Sequence, residues 1–203
     1  MPCEDKKAAL LSGAIRAVAH NGLENTTTRS IGAEAGIDDA YIYRFFKDKE
    51  ELLCQAFLTE AKKLDELVLQ SMDMVRSTPT PPTFQESCRF VLGCAWKYLT
   101  GHPEISLFMI RYYHSAGFDT YAAPEFRTYL SRIIERSAGT YPLADNASVV
   151  YYHLMESLLG FAGKVAAGGI PNTDATAGAV FQQLYGIMKT ALDTETGADA
   201  ASQ

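Results

Sequence analysis

Between Thr27 and Phe46 the chain places two short helix-forming segments on either side of Gly36, with only a few residues between them. That is the helix-turn-helix arrangement, in which the second helix enters the major groove of DNA. The turn chemistry fits. Gly36 can take a positive φ, Ile37 can plug the angle between the helices, and Ala35 is small enough for close helix contact. Thr27 can cap the first segment, whose Ile31 and Ala35 stand four apart on one face, and Asp38 can cap the second, which is expected to run through Phe46. The chemistry asked of such a unit is recognition: donors and cations held where phosphates and base edges can meet them.

No other constellation competes with it. Cys3, Cys54, Cys88 and Cys94 form no CxxC pair and no ligand-like spacing with His20, His102, His114 or His153, so no metal is expected. Cys88 and Cys94, six apart, face different ways on a helix and read as buried, reduced thiols. There is no Gly-rich phosphate loop and no nucleophile–base pair at a recognisable spacing, which argues against an enzyme and against a bound cofactor.

The 203 residues, 47 % hydrophobic and 21 % charged, are those of an ordinary globular protein able to bury a core without staples. No segment is apolar enough to span a membrane. The N-terminal MPCEDKKAALL carries early acidic residues and no apolar run of secretory length, so a cytoplasmic protein is expected. The formal net charge is −6, and the first fifty residues hold seven Lys and Arg against eight Asp and Glu. This excludes a protein that coats nucleic acid through a general basic excess; any DNA contact must rest on basic residues gathered locally in space.

The elements that would position such a reader are all helical. Pro and Gly fall between long segments of helix period, which predicts an all-α fold of about nine helices. A first helix runs from Asp5 to His20 with Leu10, Ala14, Ala17 and Val18 inward, and Asn21-Gly22 stops it. A long helix is expected from Lys49 to Arg76, carrying Leu53, Phe57, Leu64, Val68, Met72 and Val75. The next carries Phe84, Cys88, Val91, Ala95 and Tyr98, with Phe90 and Cys94 as a second strip, and is expected to be buried on two sides. A shorter helix follows Pro103, another opens at Pro124, and two final helices span 145–167 and 174–192. The expected organisation is a reader at 1–48, a larger helical domain at 49–192, and a polar, mobile tail at 193–203.

The stretch TTTRSIGAEAGIDDAYIYRFFKDKEEL resembles the DNA-binding signature of the tetracycline-repressor-like (TetR) family, T-x-R-x-I-A-x-x-A-G-V-S-x-x-x-L-Y-x-Y-F-x-x-K-E-x-L. Thr27, Arg29, Ile31, Ala35, Gly36, Tyr43, Phe46, Lys49, Glu50 and Leu52 stand at pattern positions, and Ile37 and Ile42 are conservative replacements. The resemblance implies a transcriptional regulator, commonly a repressor, that binds double-stranded operator DNA as a homodimer and releases it when a small-molecule effector binds. It implies phosphate contacts at Thr27, Thr28, Arg29, Tyr43 and Lys49, with Asp39, Ala40, Tyr41 and Arg44 at the base-reading turn. The sequence departs from the pattern at Gly32, where alanine is usual and glycine costs a helix roughly 1 kcal/mol, and at Asp38-Asp39, where Asp38 can replace the usual serine as a cap and the resemblance points the Asp39 carboxylate toward the phosphates. These acids leave open a helical sensor or adaptor that has lost operator binding.

In this family the effector lies in the domain that follows the reader. Here the aromatic-rich candidates for its pocket are Phe84, Cys88, Phe108, Tyr112, Phe126, Tyr129, Tyr151 and Met155, which predict a largely apolar or aromatic effector. The final helix pair resembles the family's dimer-forming bundle, with Ala177, Val180, Phe181, Leu184, Ile187 and Met188 as the apolar face of the last helix and Gly160 and Gly163 permitting close approach.

Overall fold

The computed structural model describes residues 3–192, and the side chains from residue 4; the tail expected at 193–203 and the side chain of Cys3 lie outside the described residues. Within them the chain forms eight α-helices: α1 (Cys3–Asn21), α2 (Thr28–Ala35), α3 (Lys49–Arg76), α4 (Phe84–Gly101), α5 (Pro103–Tyr113), α6 (Ala123–Ala138), α7 (Ala147–Ala166) and α8 (Asp174–Lys189). A 3-10 helix occupies Asp39–Arg44, a π segment occupies Phe118–Ala122, and there is no strand among these residues.

The first three helices follow from local chemistry. Leu10, Ala14, Ala17 and Val18 of α1 are fully buried, and Gly22 ends the helix in a left-handed turn at φ 81°. Asp48 accepts the Glu51 N–H at 2.9 Å and starts α3. From there Leu53, Phe57, Leu64 and Val68 turn into the core. The segment after Asp38 winds as a 3-10 helix instead of the expected longer helix through Phe46. Asp38 and the closing N–H of Phe45 on the Ile42 carbonyl leave six residues between them, too few for i→i+4 bonding to gain much over the tighter winding.

Two close contacts build the reader and fasten it to the rest. A Cβ on Gly13 of α1 would lie 2.8 Å from the Ala35 Cβ and from the Ile31 carbonyl oxygen, so α1 and α2 cross at a glycine. At the other end of α1, Arg111 of α5 donates to the carbonyl oxygens of Val18, which also accepts the Gly22 N–H, and of Ala19. Beside this clamp the His20 imidazole bridges two helices: Nδ1 is 3.0 Å from Glu34 Oε1 on α2, and Nε2 is 3.4 Å from Glu104 Oε1 on α5. Arg16 reaches the same Glu34 at 3.3 Å. Further along, α6 grips α3 through Arg132 on buried Asp65 at 2.7 Å and Arg136 on Asp73.

Three sequence expectations change. The outer strip of α4 is open, since Phe90 is 42 % exposed and Cys94 only half-buried; helix period records an apolar strip but not whether a neighbour exists to cover it. The α8 stripe is engaged within the chain. Val180, Phe181, Leu184 and Met188 are buried in the core while Ala177 and Ile187 are half-buried, so two copies would have to meet through another face. Gly163 likewise serves internal packing, its missing Cβ making room for Ile110 Cγ2 at 2.9 Å, whereas Gly160 faces open space.

The His20–Glu34 contact sets a pH window. The hydrogen bond to Glu34 raises the imidazole pKa above its ordinary 6.5, and the same bond holds the Glu34 carboxyl below its ordinary 4.5. The histidine contribution is complete below pH 6.5 and fades as pH rises through the raised folded value; the carboxylate contribution is present above pH 4.5 and fades as pH falls through the lowered one. Thermal unfolding of the wild type and His20→Gln should therefore differ most between those two values and converge at higher pH. A difference that stays constant across the range would rule out this pair as its origin.

Candidate nucleic-acid interface and interior cavity

The start of α2 is a reciprocal cap. The Ser30 N–H donates to Thr27 Oγ1 at 3.1 Å and the Thr27 N–H donates to Ser30 Oγ at 3.0 Å, with serine where glutamate or glutamine is usual. Thr27 and Arg29 are exposed and Thr28 is half-buried. The N–H groups of Thr28 and Arg29 belong to the first turn, where no helix carbonyl precedes them, and the helix dipole presents its positive end there.

Gly36 closes α2 at φ 65°, its N–H on the Ala33 carbonyl, and the Ile37 N–H returns to the Gly32 carbonyl at 3.0 Å. From sequence, Gly32 is only a cost in rigidity. In the fold it has a steric role: a Cβ there would stand 2.7 Å from the Ile37 carbonyl oxygen and 3.1 Å from the Asp39 nitrogen. The turn rests directly on the glycine.

Past the turn, Asp38 Oδ1 accepts the Ala40 N–H at 2.9 Å, so that carboxylate is engaged as a cap. Asp39 and Tyr41 are half-buried, Ala40 and Arg44 are exposed, and Tyr43 is 63 % exposed. Three side chains converge here: the Lys6 ammonium lies 4.2 Å and the Arg44 guanidinium 5.3 Å from the centre of the Tyr41 ring. Lys7 stands 5.5 Å from the Phe46 ring. Lys6 and Lys7 are absent from the sequence-derived set because nothing in their own neighbourhood signals contact with the turn; only the packing of α1 brings them there.

Lys49 has a second task. Its Nζ donates to the Thr26 carbonyl at 3.1 Å and lies 3.8 Å from Glu50 Oε1, which ties the first turn of α3 to the loop leading into α2. The ammonium keeps further donors for an outside acceptor.

A cavity open to solvent lies among α3, α4, α6, α7 and α8. Of the sequence-derived set, Phe84, Cys88, Tyr151 and Met155 line it. Phe108, Tyr112 and Phe126 belong instead to an aromatic cluster around Phe57, whose ring centre is 5.3 Å from Tyr112, 5.3 Å from Phe118 and 5.7 Å from Phe126. Tyr129, also outside the cavity wall, donates to Glu125 Oε1 at 2.7 Å. Sequence reasoning missed the aliphatic wall, including Val68, Met72, Leu130 and Ile133, which carries no signal separating it from ordinary core. Burial pushes the Cys88 thiol up to about 12, so it stays neutral and acts as part of an apolar wall. Among the described residues no group of three or more His, Cys, Asp or Glu is placed to hold a metal ion, and no helix is long and apolar enough to cross a membrane.

The role of Gly32 can be measured against a neutral glycine. Gly93 of α4 has nothing within 4 Å of its would-be Cβ, so Gly93→Ala should raise stability by about 0.5–1 kcal/mol through helix propensity alone. Gly32→Ala gains the same propensity but must displace the turn, and should lower stability by about 1–3 kcal/mol in denaturant unfolding. Equal stabilisation by both would remove the steric role.

Residues 10–56 match the family described as bacterial regulatory proteins of the tetR family. The whole fold is similar to that of a TetR family transcription regulator from Marinobacter aquaeolei VT8, with a TM-score of 0.69 and 18 % identity over 91 % of this chain and 95 % of that one. It is also similar to the fatty acid degradation regulator FadR from Bacillus halodurans (TM-score 0.65, 16 % identity, 88 % and 97 % of the two chains). A third likeness is to FadR from Bacillus subtilis, solved in complex with stearoyl-CoA (TM-score 0.59, 16 % identity, 87 % and 96 %). At such identities these likenesses concern the fold, and it is the match over 10–56, joined to the helix-turn-helix geometry, that carries the assignment: the N-terminal segment is of the kind found in bacterial regulatory proteins of the tetR family, on a fold similar to that of TetR family transcription regulators.

Proposed function

We propose that this chain is a ligand-responsive repressor that binds a palindromic operator as a homodimer and releases it when a small, largely apolar effector enters the cavity. The observation that carries this reading is the course of α3. Its first residue, Lys49, is tied into the reader, and its last, Arg76, stands in the cavity wall. At 28 residues it is about 42 Å long, so one element touches both sites.

In this reading residues 1–48 are the reader and 49–192 the effector and dimer domain. Thr27, Thr28, Arg29, Tyr43 and Lys49 contact phosphates, and Asp39, Ala40, Tyr41 and Arg44 face base edges. A dimer places two readers on half-sites about 34–36 Å apart. Its contact face is the open side of the last helix pair, where exposed Val149 and His153 of α7 stand beside Gln182, Gln183 and Gly186 of α8. The effector binds without being transformed, and its entry favours a state in which α3 holds the two readers at the wrong spacing. The stearoyl-CoA held by the B. subtilis FadR, a ligand with a long apolar chain, supports an apolar occupant for the cavity here.

The test is binding to DNA from upstream of the chain's own coding region at two salt concentrations. Specific binding should weaken as salt rises, since each neutralised phosphate contributes a slope of roughly 0.9 in log–log form. Tyr43→Ala combined with Arg44→Ala should weaken binding by about tenfold or more while leaving the fold intact, because both side chains are exposed. Absence of salt-dependent binding to any fragment would overturn the operator reading in favour of a sensor without DNA.

A further inference from the structure

The wall of the cavity has an uneven distribution of hydrogen-bonding capacity. Five hydroxyl groups lie along it: that of Thr140 is exposed to solvent, and the hydrogens of the other four are engaged inside the protein. Tyr141 donates to Ser87 Oγ at 2.8 Å, and Ser87 donates in turn to the Thr83 carbonyl at 3.0 Å. Tyr151 donates to Ser137 Oγ, and Ser137 donates to the Ile133 carbonyl at 2.9 Å. The deep end is formed by Leu92, Ala95, Leu130, Leu154 and Leu158, all buried. A polar group carried into that end would lose its water and find no free donor, a cost of roughly 1–3 kcal/mol.

The mouth is different. Arg76 is exposed and in the wall, and among the described residues it takes part in no ion pair. The carboxylates on the neighbouring segments are engaged elsewhere. Asp73 is paired with Arg136, and Glu86 closes the cap of α4 by accepting from the Thr83 N–H at 2.8 Å. The one formal charge of the wall is therefore a cation at the entrance to an apolar interior.

We propose that this cavity selects an amphipathic monoanion: an extended apolar body that fills the interior and a single terminal carboxylate held by Arg76 at the mouth. The inference rests on the cavity being the effector site, and it names the class of effector. Arg76 is also the last residue of α3, so the anionic end of the ligand meets the element that reaches the reader, while a neutral hydrocarbon fills the interior without engaging that charge.

Isothermal titration of the full chain with decanoate, methyl decanoate and decanol separates the two levels of the reading. Decanoate should bind about two- to fivefold more tightly than the ester and the alcohol, the gain expected of a partly exposed charge pair. Arg76→Gln should bring decanoate down to the affinity of the ester without changing the ester, and Arg76→Lys should retain part of the preference. Val91→Trp, which fills the cavity from α4, should abolish binding of all three probes. Equal affinities for acid and ester, or a preference that survives Arg76→Gln, overturn the anionic specificity and leave the cavity as a site for neutral apolar effectors. Failure of all three probes to bind, or binding unaffected by Val91→Trp, overturns the cavity as the effector site and the proposal with it.

Discussion

The last carbonyl groups of a helix face outward from its end, and at the end of α1 two of them, one shared with the Gly22 N–H, are held by a side chain from a distant part of the sequence, Arg111 of α5. Much else depends on this clamp. Because α1 meets α2 at the Gly13–Ala35 contact, fixing the end of α1 to α5 also fixes the plane of α2 and the turn that follows it. Lys49 adds a second fixed point by holding the Thr26 carbonyl just before α2, and His20 adds a third between Glu34 and Glu104. The reader is thus not hung from a flexible linker. The hydrophobic core runs without a break from Leu10 in α1 through Phe57 in α3 to Leu184 in α8, so a shift of α3 or α5 carries the reader with it.

An acidic chain that meets DNA needs its carboxylates kept away from the phosphates or otherwise engaged. Here three of them are engaged. Asp38 caps the 3-10 helix through the Ala40 N–H, Asp48 caps α3 through the Glu51 N–H, and Glu34 is shared by Arg16 and His20. Arg29 and Arg44 are left outward, and the packing of α1 adds Lys6 to the face of Tyr41. Counting charges along the first fifty residues gives a nearly neutral sum, yet the field that a phosphate meets depends on which of those charges remain without partners at the surface.

Two long stretches of correct reading, α1 and α3, share a cause: a strong apolar period closed by chemistry that is local in sequence, the Asn21-Gly22 stop and the Asp48 cap. The limits share one too. Helix period reports that a face is buried and not what it is buried against. The stripe Val180, Phe181, Leu184 and Met188 looks the same whether its partner is α7 of the same chain or a second copy. Phe108, Tyr112 and Phe126 look the same whether they line a space or fill one, and only the rings packed around Phe57 decide it. Gly32 shows the limit from the other side, since its meaning lies in the Ile37 carbonyl placed against it by a turn that sequence reads only as a turn.

The arrangement along α3 has a mechanical consequence. Phe57 sits in the aromatic cluster with three ring neighbours within 5.7 Å, and Asp65 is held by Arg132, so the middle of the helix is firmly anchored. The cavity takes its wall from the later part, from Val68 to Arg76, and the reader is attached at the opposite end through Lys49. From Phe57 the cavity arm to Met72 is about 22 Å and the reader arm to Lys49 about 12 Å. A close-packed helix held in its middle turns as a rigid body more readily than it bends, because bending would break backbone hydrogen bonds while turning only slides side chains. Displacing the cavity end by an ångström would then move Lys49 by about half as much in the opposite sense. Since Lys49 holds the Thr26 carbonyl ahead of α2, the recognition turn follows, and in a two-fold dimer the change would be doubled across the pair of readers.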